Sequence, residues 1–162
     1  MKKTVIGVMG GSFGTDSHLQ GAYLLGKLIA KKGWVLLNGG RSAGIMEASA
    51  KGAKDAGGLT IGILPDTDGG SASKYIDVQI ITDAGDARNY YNVLSSDVVI
   101  ACRGAAGTIS EIALALKRKK NVILLNFDIG DLFLEYKKNG LLHFVNSPED
   151  AIALVERIIA ER

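Results

Sequence analysis

Cysteine, histidine and aromatic side chains are scarce in this chain of 162 residues: one Cys, two His and 6% Phe, Trp and Tyr together. A lone cysteine closes no internal disulfide, which suits a reducing compartment and predicts a cytoplasmic protein. Cys102 ends an apolar run and reads as a small core residue, although Arg103 beside it could depress its pKa. His18 and His143 have neither metal-cluster spacing nor an evident serine partner, so they read as structural or surface residues and no protein-ligated metal is expected. Charge of one sign is also lacking. A net charge of +2 leaves no basic stripe, so nucleic acid, single-stranded DNA included, is not the expected partner. No apolar run is long enough to cross a membrane. The apolar stretch Val5–Met9 is short and stops at Gly10–Gly11, which reads as a first buried strand rather than a signal peptide. Two nucleotide motifs are missing as well. There is no G-x-x-x-x-G-K-[ST], so no P-loop. The dinucleotide fingerprint is incomplete, because Gly11 and Gly14 keep its later spacing but Met9 stands where the first glycine belongs. No acid follows the second strand at Leu37–Asn38–Gly39–Gly40–Arg41 to hold a ribose diol.

Apolar residues are plentiful, at 47%, enough for one domain with a real core over residues 1–162. They fall in short runs that read as strands: Val5–Met9, Trp34–Leu37, Leu59–Leu64, Val78–Ile81, Val98–Cys102, Val122–Asn126 and a weaker His143–Val145. Helical patterns lie between them, at Ser17–Lys31, Ile45–Asp55, Arg88–Leu94, Ile109–Lys119 and Pro148–Ile159. The last opens with Ser147–Pro148–Glu149–Asp150, an N-cap, a proline at the first helical position and two acids near the positive helix end. Strands apolar along their whole length, alternating with helices, predict an α/β fold: a three-layer, Rossmann-like, doubly wound and mainly parallel sheet with helices on both faces. Val5–Met9 is expected near its middle. The loop Pro65–Ser73 reads as a plain connection or a flap.

Glycine is the other abundant residue, and its placement matters. After the run Val98–Cys102 comes Gly104–Ala105–Ala106–Gly107–Thr108–Ile109–Ser110–Glu111, a strand, a glycine loop and a helix start. Backbone N–H groups at such a junction bind phosphate. Gly39–Gly40–Arg41–Ser42–Ala43–Gly44 repeats the arrangement after the second strand. In an open parallel sheet, ligands bind beyond the carboxyl ends of the strands at the switch point. That collects Gly10–Thr15, with Gly10, Gly11 and Ser12; Gly39–Gly44; Asp83–Arg88; and Arg103–Thr108. Arg41, Arg88 and Arg103 then make a cationic mouth on a nearly neutral chain. Ordinary solvated charges are the alternative, but three guanidinium groups at strand ends favour an anion.

These loops resemble those of the superfamily that includes the Lonely Guy cytokinin-activating phosphoribohydrolases and the molybdenum cofactor carrier proteins. The hydrolase signature P-G-G-x-G-T-x-x-E is met by Arg103–Gly104–Ala105–Ala106–Gly107–Thr108–Ile109–Ser110–Glu111, with Arg103 in place of proline and Ala105 in place of the second glycine. Arg88 precedes Ser96–Asp97 at the spacing of the hydrolases' catalytic arginine, and Glu111 falls on their catalytic glutamate. The similarity to the carrier branch is longer, from about residue 5 to 126. It includes Ile6–Gly10, Gly33–Leu37, Gly39–Ser42, Lys51–Gly58, Thr60–Pro65, Ala87–Arg88 and Ala113–Lys117.

The resemblance implies binding and protection of molybdenum cofactor, a pterin monophosphate whose metal arrives with the ligand. The implied site comprises Gly10, Gly11, Ser12, Gly39, Gly40, Arg41, Ser42, Arg88, Arg103, Gly104, Gly107, Thr108 and Glu111. In this reading Gly39–Ser42 forms a second anion site, and Glu111 caps its own helix or accepts from pterin amino groups. A carrier has no catalytic residue and is read here as a non-enzyme. The alternative is hydrolysis of a nucleoside 5′-monophosphate to free base and ribose 5-phosphate, with Glu111 activating water and Arg88 orienting the phosphate. The methyl group of Ala105, where backbone must approach the ligand closely, and the loss of the rigid proline turn at Arg103 weigh against it. The resemblance also implies a homodimer or larger homo-oligomer, which agrees with an Ile109–Leu116 helix apolar on nearly every side, and a cofactor-receiving enzyme as a further partner.

Overall fold

The computed structural model describes residues 1–162. Seven strands form one sheet, β1 (Val5–Met9), β2 (Val35–Asn38), β3 (Thr60–Leu64), β4 (Val78–Ile81), β5 (Val98–Ala101), β6 (Val122–Leu125) and β7 (Leu142–Val145). Their order is β4-β3-β2-β1-β5-β6-β7, and every neighbouring pair is parallel, so the mainly parallel sheet of the sequence reading is parallel throughout. β1 is the middle strand. The chain walks outward from β1 to β4, returns, and walks outward the other way from β5 to β7. The switch point therefore lies between β1 and β5, where the crevice of such a fold opens.

Six helices cover the sheet: α1 (Asp16–Lys31), α2 (Gly44–Asp55), α3 (Arg88–Leu94), α4 (Ala106–Lys117), α5 (Leu134–Lys138) and α6 (Pro148–Ala160). The strands alternate side chains between two apolar layers. Ile6, Val8, Val98 and Ile100 pack with Leu25 and Ile29 of α1, Ile45 of α2 and Ile152 and Val155 of α6. Met9, Val99 and Ala101 pack with Val93 of α3 and Ile112 and Leu116 of α4. Burial on both faces is why these strands read as continuous apolar runs rather than alternating ones.

Chain ends of the elements follow local chemistry. The Ser147 side chain accepts from Asp150 N at 3.1 Å, with Pro148 in the first turn of α6. His18 serves α1: its Nδ1 lies 3.0 Å from the Thr15 hydroxyl in a capping box. His143 Nε2 pairs with Asn121 Oδ1 at 3.0 Å. Both histidines are thus structural. Cys102 is buried, and burial pushes its thiol up to about 12, the opposite of activation by Arg103. The short helix α5 carries no apolar stripe of its own and escapes a periodicity reading.

The Pro65–Ser73 loop is held rather than free. Ala72 bridges Arg41, Ser42 N donates to Ser71 O at 3.0 Å, and Ser73 N donates to Gly40 O at 2.8 Å. No helix is long and apolar enough to cross a membrane.

Candidate functional site

A cavity of about 220 Å³ opens at the switch point. Its floor is apolar, from Val8 and Met9 of β1 and Met46 of α2. Its polar wall comes from the loops after β1, β2 and β5 and from the start of α3: Gly10, Gly11, Ser12, Gly39, Arg88, Thr108 and Glu111. Gly107 also lines it. Of the residues singled out in the sequence, these eight share one cavity; Gly40, Arg41, Ser42, Arg103 and Gly104 do not line it.

The first glycine loop is arranged to present donors. α4 begins at Ala106, three residues before the apolar periodicity starts, because Ala105 takes the N-cap position without any side-chain bond. Thr108 is therefore the third residue of the helix, and its hydroxyl turns to the cavity. The N–H groups of residues 104 to 108 donate to no carbonyl and no side chain of the protein, whereas Ile109 N resumes helical bonding to Ala105 O at 3.1 Å. Consecutive free N–H groups at a helix start carry a net positive potential toward the cavity. Gly104 is required by space. A β-carbon there would stand 2.0 Å from Thr108 Oγ1 and 3.0 Å from Gly11 N.

The second glycine loop is arranged differently. Asn38, buried at the end of β2, accepts from Gly40 N at 2.8 Å and donates to Met46 O at 3.0 Å. Ser42 N and Gly40 O are engaged by the 65–73 loop, and Arg41 pairs with Asp66 at 3.2 Å. The donors assigned to a second anion site are thus largely taken by the chain itself, and only Gly39 reaches the cavity. Arg103 also departs from the sequence reading. It lies in a separate recess with Ser17, His18, Cys102 and Asn126, while its carbonyl accepts from Gly11 N at 3.0 Å.

Arg88 opens α3 and is half-buried. Its Nη1 donates to Ile63 O at 2.8 Å and to Gly39 O, and its Nε donates to Asn89 Oδ1 at 3.2 Å, leaving Nη2 for the cavity. Burial lowers its pKa, and the nearby Glu111 opposes the shift; an arginine stays charged regardless. Glu111 does not cap its own helix, because the helix starts too early for that. It reaches across to α3, where Asn92 Nδ2 donates to its Oε1 at 2.9 Å. Burial raises its pKa to about 7, against the pull of Asn92 and Arg88. Sequence reasoning passed over Asn92 and Asn89, the second of which lines the cavity; Asp86, also in its lining, fell within the collected Asp83–Arg88 loop without being singled out. Neither asparagine belongs to a motif; the packing of α3 against α4 brings both to the site.

The fold and this crevice define a Rossmann-like domain built around a ligand site at the switch point. It is similar to the molybdenum cofactor binding protein from the phototrophic bacterium Rippkaea orientalis, with 52% identity, 98% of this chain and 99% of that one covered, and a TM-score of 0.93. The molybdenum cofactor carrier protein MCP from Chlamydomonas reinhardtii is 42% identical, with 98% and 99% covered and a TM-score of 0.90. A protein of Archaeoglobus fulgidus is 50% identical over 125 residues, 77% of this chain and 82% of that protein. The chain belongs to the SLOG cluster4 family, whose model matches residues 3–152, and to the family of these molybdenum cofactor carrier proteins.

Proposed function

We propose that this chain binds and carries molybdenum cofactor as cargo. The observation that supports the reading most directly is the run of unpartnered N–H groups at residues 104 to 108, of which Ala105, Gly107 and Thr108 line the same cavity as Arg88. Such a cradle matches a phosphate monoester, and the apolar floor of Val8, Met9 and Met46 suits a flat heterocycle. The metal is bound through the cargo's own dithiolene, so the protein supplies shape, donors and exclusion of water. A cofactor-receiving enzyme is the partner this role requires.

The hydrolase reading draws on one specific observation: Arg88 and Glu111 face the same cavity, and a carboxyl group titrating near 7 suits a general base. One experiment separates the two. Purified protein is incubated with AMP and, separately, loaded with molybdenum cofactor. We expect stable cofactor loading and no appreciable adenine release. Robust release that disappears in Glu111→Gln would overturn the carrier reading in favour of the enzyme.

Self-association belongs to the same proposal. Tyr91 and Leu94 of α3 are 48% and 42% exposed, and Tyr91 shares a surface recess with Leu114 of α4. Covering them with a second copy removes apolar area from water. Light scattering is expected to return a dimer or larger assembly; a monomer across working concentrations would exclude it.

A further inference from the structure

Asn92 lies in the middle of α3 and is completely buried. Its side chain makes one hydrogen bond, the 2.9 Å contact from Nδ2 to Glu111 Oε1. Its Oδ1 is buried with no partner. A buried, unpaired amide oxygen costs about 1–3 kcal/mol, and an apolar residue of the same size would avoid that cost. The amide is therefore to be explained by what it does to Glu111.

Glu111 is itself only 7% exposed, yet it lines the cavity. Oε1 is held by Asn92. Oε2 has no protein partner, and unlike Asn92 Oδ1 it is not closed off from the cavity. The charged groups around it are Arg88 at the start of α3 and Asp86 in the 3₁₀ turn before it (Gly85–Ala87), at the exposed rim. The facing residues from the central sheet and α2, namely Val8, Met9 and Met46, carry no charge. Thr108, one turn earlier on α4, faces the same space.

We propose that Asn92 is a positioning residue that clamps one oxygen of Glu111 so that the other is presented to the ligand. This rests on the reading of the cavity as the ligand site. Without the clamp the carboxyl group rotates freely, and its free oxygen no longer has a fixed direction. The clamp also favours the ionised form, since a donor to a carboxylate stabilises its charge.

The test uses wild type, Asn92→Leu, Glu111→Met and the double variant. Carbon-13 NMR of the glutamate carboxyl groups follows the titration of Glu111. Cofactor retention is measured as the rate at which bound molybdenum cofactor leaves, and sulfate binding probes the glycine loop alone. In Asn92→Leu the midpoint of Glu111 is expected to move upward and the cofactor to leave about tenfold faster, the loss of one well-directed hydrogen bond. Sulfate binding is expected to change by less than about twofold, and in the Glu111→Met background, which has no acceptor for Asn92, the Asn92 substitution is expected to change retention by less than about twofold. An unchanged Glu111 midpoint and unchanged retention would overturn the proposal. So would the same tenfold loss in the Glu111→Met background, which marks a packing effect. If Asn92→Leu does not fold, Asn92→Ser carries the same expectations. If wild type retains no cofactor, the carrier reading fails on its own account. The NMR arm still decides whether Asn92 governs the carboxyl group: an upward shift supports the clamp, and no shift overturns it.

Discussion

Arg88→Ala is expected to speed loss of bound molybdenum cofactor by roughly 10- to 150-fold, the range for removing a desolvated charge-assisted contact of about 1.5–3 kcal/mol. Two effects combine. The free Nη2 no longer meets the anion. The loop after β2 and strand β3 also lose the tie that Nη1 makes between Gly39 O and Ile63 O. Arg88→Lys separates them: it keeps a charge in the cavity but cannot serve two carbonyls and the ligand in a planar fork, so an intermediate loss is expected. Glu111 loses the cation that holds its pKa down in Arg88→Ala, so its midpoint is expected to rise further. Retention equal to wild type in a folded Arg88→Ala protein would remove Arg88 from the site.

Gly104→Ala is expected to lower the affinity for both cofactor and sulfate by roughly 100-fold or more, because a shift of an ångström or so in a preorganised donor cluster carries that penalty. The new β-carbon would meet Thr108 Oγ1 at 2.0 Å and Thr108 Cβ at 2.6 Å. A hydroxyl can rotate away, but Cβ and the Gly11 backbone N at 3.0 Å cannot, so the loop itself must move. The core lies below this loop and does not depend on it, so circular dichroism is expected to report an intact fold. Wild-type sulfate affinity in this variant would place the anion elsewhere.

Sequence and structure agree closely on the strands because of where the strands sit. A parallel sheet covered on both faces needs apolar residues at every strand position, and such runs stand out in a chain whose connections are polar and glycine-rich. The same applies to the loop after β5. A strand, a glycine loop and a helix start can be read locally, since they depend only on neighbouring residues.

Local order could not reveal which donors remain free. The N–H groups of residues 104 to 108 are unpartnered and those of Gly40 and Ser42 are engaged, although both loops look alike in sequence. The difference comes from Asn38 and from the 65–73 segment, which the fold lays across the second loop. Arg88 and Arg103 look equivalent as well. The crevice turns one inward and leaves the other in a different recess, because α1 and α4 leave the switch point on opposite sides of the sheet.

The sequence by itself determined the fold class, the central position of β1 and the glycine loop that begins α4, since each depends on apolar runs and on residues adjacent in the chain. Only the tertiary structure decided the partners of Glu111. α3 and α4 are separated along the chain by β5, and the side chains of Arg88, Asn92 and Glu111 come within reach only once both helices pack on one face of the sheet. Burial there, not chain neighbours, raises the titration of Glu111 to about 7 and makes a surface-type residue part of the cavity wall.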